Sequence, residues 1–230
     1  MKHRFGKTVI LGLGGSIVVP DQINWQLLRR LRRFLLPRLR GGQRFVLAIG
    51  GGVLSRNYQA AASKITRLTD EDKDWIGIHA TRLNAHLLRT IFYDVADPVV
   101  WDHRNKRPKL KYPLTIASGW RPGWSTDYIA VALAADLQVP EVVIAGKPAF
   151  VYDKDNTKHK DARPFHELKW REYRKLIPAK WIPGLKSPVD PVGAAYAQKA
   201  GIEAIVVNGR DLANLGKLLK GKEFMGTIIS

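Results

Sequence analysis

The chain has 230 residues, 45% of them hydrophobic, with no cysteine and a formal net charge of +18. That length and apolar content suffice for a buried core, while the missing cysteines exclude a disulfide framework and thiolate chemistry, and no run of about 18 apolar residues is present to span a membrane. The excess of 38 basic over 20 acidic residues favours anionic partners: nucleotides, polyphosphate, nucleic acid or an anionic membrane surface.

At the amino terminus, MKHRFGKTVILGLGG is basic, but its apolar stretch alternates with glycine and lacks a small-residue cleavage site, so no secretory leader is expected and a cytoplasmic location is. The β-branched run TVILGL predicts a first strand that runs straight into Gly14, Gly15 and Ser16. A helix should follow, with Ile23, Leu27, Leu28, Leu31 and Leu35 at helical spacing and Asp21 as its N-cap. Seven arginines fall between Arg29 and Arg44, and a second basic run spans Arg104 to Lys111. Neither interleaves aromatics for base stacking, so a solvated face ranks above a nucleic-acid site.

The next strand, FVLAIG, enters a second glycine loop, Gly50 to Gly52, and Arg56 lies about one helical turn further on. Glycine lets backbone approach a phosphate closely, and a helix amino terminus behind it supplies aligned N–H donors. Two such loops suggest two phosphates, although neither matches the spacing of a Walker P-loop or of a dinucleotide fingerprint. Asp74 is expected to begin a long helix through DWIGIHATRLNAHLLRTIF, where it could be an N-cap or a ligand contact. Strands are predicted at PVVW and LTIAS, and the segment Ser118 to Asp127 (SGWRPGWSTD) reads as a ligand loop, in which Trp120 and Trp124 flank Arg121. Ser125 or Thr126 should cap the helix that follows. Further strands are predicted at EVVIAG, AIVVNG and GTIIS, and the proline-rich PAKWIPGLKSPVDP is loop. Asp127 and Asp190 are the best candidates to organise Mg²⁺ or a basic side chain, while Asp190 followed by proline also fits an N-cap. The six histidines show no metal-binding spacing, and no metal site is assigned to protein side chains. Alternating strands and helices predict an α/β fold on a largely parallel sheet, and with no repeat or composition shift residues 1–230 are expected to form one domain.

Taken in order, GLGGSIVVP, AIGGGVLSRNY, DWIGIHATRLNAHLL, GWRPGWSTD, VYDKD, SPVDP and IEAIVVNGRD with the terminal GTII resemble the uridylate (UMP) kinases of the amino acid kinase family, especially their archaeal branch. The resemblance implies a three-layer αβα sandwich, transfer of the ATP γ-phosphate to UMP with Mg²⁺, and a homo-oligomer such as a hexamer. It implies that Gly15, Ser16, Gly52 and Arg56 face the transferred phosphates, that Gly51 and Asp74 contact UMP, and that the loop Trp120, Arg121, Gly123, Ser125, Thr126 closes over it. Lys147, Tyr152 and Asp155 would line the ATP side, with Asp127 and Asp190 orienting the phosphoryl group or its metal. The chain departs from the family pattern at Gly12, where many members have lysine, at AGKPAF in place of TNVDG, and at the two tryptophans of GWRPGW. Two other readings stay open: a non-catalytic relative that binds nucleotides or stores oxyanions, as the related molybdenum storage proteins do, and a basic nucleic-acid-binding protein on this fold.

Overall fold

The structure, a computed structural model, describes residues 3–105, 109–182, 185 and 187–230. Strand β1 (Thr8–Leu13) leads through the short helix α1 (Gly15–Val18) to α2 (Trp25–Arg40), and β2 (Arg44–Ile49) leads to α3 (Gly52–Ser63) and the long α4 (Asp70–Ile91). After β3 (Leu114–Ala117) come α5 (Thr126–Asp136) and β4 (Glu141–Gly146), then three two-residue strands, β5 (Val151–Tyr152), β6 (Pro164–Phe165) and β7 (Glu167–Leu168). The chain closes with α6 (Trp170–Leu176), α7 (Pro191–Ala200), β8 (Glu203–Asn208), α8 (Leu212–Leu219) and β9 (Thr227–Ile229). Seven strands form one sheet in the order β3-β2-β1-β4-β8-β9-β7, and its first five strands are mutually parallel. The carboxyl ends of those five strands therefore share one edge, where open α/β sheets bind ligands.

Period-two alternation explains the layers. Val9, Leu11 and Leu13 of β1, with Phe45, Leu47 and Ile49 of β2, pack against Leu27, Leu31, Leu35, Leu88 and Leu215 of α2, α4 and α8. Ile10, Val46, Ala48, Val142 and Ile144 point the other way, onto α5, α6 and α7. Each fully buried Leu or Ile contributes about 2 kcal/mol of transfer free energy, so two apolar faces oblige the sheet to be covered on both sides. The fold is thus the expected three-layer α/β sandwich.

Several local expectations are corrected. Helix α2 starts at Trp25, capped by Asn24, whose Oδ1 accepts from the Leu27 amide at 3.2 Å. Asp21 is exposed in the preceding turn, and Ile23 lies outside the helix, 52% exposed. Helix α4 begins four residues before Asp74, because Thr69 and Asp72 form a reciprocal capping box there. Asp74 is therefore no cap. PVVW is not a strand; it reduces to a single bridge, Trp101 with Ala117, at the sheet edge. In the proline-rich loop, Pro183, Gly184 and Lys186 lie outside the described residues, as do Lys106 to Pro108 of the second basic run.

Candidate active site

The two glycine loops meet at the carboxyl edge of β1 and β2, which are paired Leu13 to Ile49. Their backbones interlock. A Cβ on Gly15 would lie 1.9 Å from the Gly52 nitrogen, and one on Gly50 would lie 2.3 Å from the Gly15 nitrogen. Gly52 also holds φ at +67°, the left-handed region, where its own Cβ would sit 2.4 Å from the Gly15 oxygen. No side chain fits at these positions, which is the physical reason for glycine there. Gly51 packs on α4, where a Cβ would meet Ser55 at 3.0 Å and Ala80 at 3.4 Å. Asn84, buried on α4, donates from Nδ2 to the carbonyls of Gly50 (2.9 Å) and Gly51 (3.1 Å), which fixes the second loop from below. Ser16 is half-buried at the opening. Arg56 stands exposed on α3 with no ion-pair partner among the described residues.

The loop after β3 forms the adjacent wall. The Gly119 amide donates to Thr81 Oγ1 at 2.7 Å, and Thr81 Oγ1 donates to the Ile78 carbonyl at 2.6 Å, so α4 holds the loop's root. Trp120 is turned inward, buried, with its indole N–H on the Trp101 carbonyl at 3.2 Å. Trp124 is half-buried in an aromatic row, 4.7 Å from Tyr128 and 6.1 Å from Trp120 between ring centres, with the Arg121 guanidinium 4.5 Å above its ring. Gly123 takes φ of +80° and donates its amide to Asp74 Oδ2 at 2.7 Å; the Trp181 indole lies 3.5 Å from the same oxygen.

Ser125 caps α5 by accepting from the amides of Asp127 (3.1 Å) and Tyr128 (3.0 Å), and its hydroxyl donates to Asp190 Oδ2. Asp190, 2% exposed, caps α7 with its other oxygen, which accepts from Val192 at 2.8 Å and Gly193 at 3.0 Å, and Pro191 occupies the first helical position. The two helix amino termini, each a centre of partial positive charge, are thereby tied together at the sheet edge. Tyr173 sets the approach: its hydroxyl donates to the Val189 carbonyl (2.6 Å) and accepts from the Val189 amide (2.7 Å). Asp127 stands in the first turn of α5, partly open at the edge but surrounded by protein, with no hydrogen-bond partner for its carboxylate among the described residues. Burial, and then the neighbouring Asp190, push its carboxyl well above the usual carboxylate range.

On the far side, Lys147 follows the end of β4 and is exposed, and Tyr152 is half-buried in the β5–β6 hairpin. Asp155 is exposed in the loop that joins β5 to β6, where it accepts from the amide (2.9 Å) and hydroxyl (2.6 Å) of Thr157. Gly12 faces the α5 layer, where a Cβ would meet Ile144 at 3.2 Å and Ala130 at 3.4 Å. Sequence reasoning missed Thr81, Asn84, Tyr173 and Trp181. Thr81 and Asn84 had a signal, since they interrupt the buried stripe Ile78, Ala85, Leu88 of α4 with polar groups that must find partners.

Residues 117–208 match the amino acid kinase family. A uridylate kinase of Methanoregula boonei is 31% identical over 222 residues, 94% of this chain and 93% of that protein. The chain belongs to the amino acid kinase family. Other relatives extend the likeness: a uridylate kinase of Thermococcus kodakarensis is 29% identical over 96% of this chain and 98% of its own length. Among solved structures, the uridylate kinase of Archaeoglobus fulgidus superposes with a TM-score of 0.78 at 25% identity, covering 100% of both chains. The UMP kinase of Bacillus anthracis, at 20% identity and TM-score 0.79 over 99% of this chain and 97% of its own, shares the fold. Family, relatives and fold together make this kinase-family member a phosphotransferase.

Proposed function

We propose that the protein is a nucleoside monophosphate kinase that transfers the terminal phosphoryl group of ATP to UMP. The observation that carries this reading is the set gathered at the sheet edge: interlocked glycine loops where β1 and β2 end, and the crossed caps of α5 and α7, with the unpartnered Asp127 in the first turn of α5. Phosphoryl transfer needs positioning and charge neutralisation more than covalent chemistry, and backbone amides, helix termini and a carboxylate supply both. Gly15, Ser16, Gly52 and Arg56 face the phosphates; Gly51, Asp74 and the loop Trp120 to Thr126 hold the acceptor; Lys147, Tyr152 and Asp155 lie on the donor side. Asp127 and Asp190 serve the transfer itself, Asp190 also as the cap that orients Ser125.

Asp127 fits a divalent cation, because its carboxylate has no protein partner among the described residues and sits where burial penalises its charge. Bound there together with the nucleotide, Mg²⁺ would neutralise charge on the terminal phosphates. The chain works as a single domain and a cytoplasmic homo-oligomer, a hexamer or another closed assembly; among the described residues no helix is long and apolar enough to cross a membrane. A coupled assay of ADP release with Mg²⁺-ATP and a panel of monophosphate acceptors tests the reading. It expects UMP to be turned over fastest. Nucleotide binding without ADP release for any acceptor would transfer support to a non-catalytic role, to which Gly12 and the AGKPAF segment point.

A further inference from the structure

Helices α2 and α8 run side by side on the face of the sheet, and Gly216 allows the approach, since a Cβ there would meet the Phe34 ring at 3.3 Å. Between them opens a groove of about 560 Å³, none of whose lining residues belongs to the glycine loops, although Arg210 and Asp211 at one end directly follow β8 on the same sheet edge. Five cations line it: Arg30 on α2, Arg210 just before α8, and Lys217, Lys220 and Lys222 along and after α8. All five are exposed, and none forms an ion pair among the described residues. The one acid in the lining, Asp211, is engaged as the cap of α8 through the Asn214 amide at 2.9 Å. Concentrating like charge costs free energy unless an anion relieves it.

We infer that this groove binds the phosphodiester backbone of nucleic acid, without reading its sequence. Base stacking is not provided for: Phe34, the only aromatic in the lining, is half-buried and covered by the Arg38 guanidinium, 3.8 Å above its ring. A lipid surface suits the groove less well, because five of the six leucines of α2 (Leu27, Leu28, Leu31, Leu35 and Leu39) are buried in the core, and neither half-buried Leu36 nor exposed Trp25 lines the groove. Exposed, flexible cations facing a concave strip fit a ridge of phosphates, whose condensed counterions are released on contact. The inference is independent of the catalytic reading.

Fluorescence polarisation of a short labelled DNA duplex, titrated with the full chain between about 50 and 200 mM salt, tests it. At about 0.9 counterions per phosphate, five contacts give a slope of log K against log salt near −4.5. The triple variant Lys217→Gln, Lys220→Gln, Lys222→Gln should lose affinity at least tenfold and flatten that slope by roughly 3. A charge-matched control, Lys64→Gln, Lys175→Gln, Lys199→Gln, changes exposed lysines elsewhere and should keep both within about twofold. Equal losses in the two triple variants would reduce the effect to net charge and overturn the inference. So would unchanged binding in the groove variant, competition by inorganic triphosphate as strong as by unlabelled duplex at equal phosphate, or binding to phosphatidylserine vesicles that falls with the groove lysines while duplex binding does not.

Discussion

The carboxylate of Asp74, in the second turn of α4, accepts the backbone amide of Gly123 at 2.7 Å, across 49 residues of sequence. The carboxylate proposed to hold the acceptor thus also tethers the loop proposed to cover it, and the Trp181 indole lies 3.5 Å from the same oxygen. Binding and loop position are then coupled through one carboxylate. Asp74→Ala should raise the KM for UMP by roughly tenfold or more, the value of a hydrogen bond to a charged group, with a smaller change in kcat. Tryptophan fluorescence should report a loosened loop through Trp124. An unchanged KM with altered fluorescence would leave Asp74 a structural tether alone.

Asp127 makes a prediction about pH. A carboxyl whose folded pKa is raised contributes stability at low pH, where it is protonated in both states, and loses it as pH rises from the ordinary carboxylate value through the raised one. Asparagine mimics the neutral form. Asp127→Asn should therefore melt higher than the wild type at neutral pH, and the gap should close in acid below the usual carboxylate range. A variant that melts lower at neutral pH would mean that Asp127 has a stabilising partner when ionised.

Much of the fold was legible. TVILGL, FVLAIG, EVVIAG and AIVVNG became β1, β2, β4 and β8 because strands buried on both faces read as short, near-continuous apolar runs rich in β-branched residues. The strands β5, β6 and β7 were not, since two residues carry no period. Helix starts misled where several cap-competent residues stood in a row: Asn24 capped α2 instead of Asp21, and Thr69 took α4 from Asp74. Ser125 and Asp190 were each readable as local caps, but their hydrogen bond across 65 residues was not, because pairing at that range is set by where α5 and α7 pack.

That link should be measurable by itself. Ser125→Ala removes the cap of α5 and the donor to Asp190, and should cost about 1 to 2 kcal/mol in denaturant unfolding. Asp190→Asn keeps an oxygen for the α7 amides but no longer accepts the Ser125 proton. A double-mutant cycle should then show coupling of about 0.5 kcal/mol or more, whereas strictly additive losses would mean that the two caps act separately.

The glycine interlock predicts a sharper loss. Gly15→Ala places a methyl carbon 1.9 Å from backbone rather than from a movable side chain, so it should destabilise by about 3 kcal/mol, the upper part of the overpacking range, or prevent folding. Gly6→Ala, with nothing within 4 Å, should be nearly neutral. Matching melting temperatures for the two variants would contradict the packing described.

Arg56, exposed and without an ion-pair partner among the described residues, is free to reach an anion. Arg56→Ala should weaken binding of UMP by about 1.5 to 3 kcal/mol and leave uridine nearly unaffected. Calorimetry showing equal losses for both would place Arg56 outside the phosphate site.

In the proposed reaction the sheet-edge site moves a phosphoryl group from ATP to UMP, with Asp127 taking part. The most direct measurement follows label from γ-³²P-ATP into UDP in a single turnover, with wild type and Asp127→Asn at equal, verified nucleotide occupancy. Transfer by the wild type, slowed by about a hundredfold or more in a variant that is folded and still binds both nucleotides, is the expected result. Equal rates of UDP formation in the two proteins, or no labelled UDP from the wild type with both nucleotides bound, would contradict it.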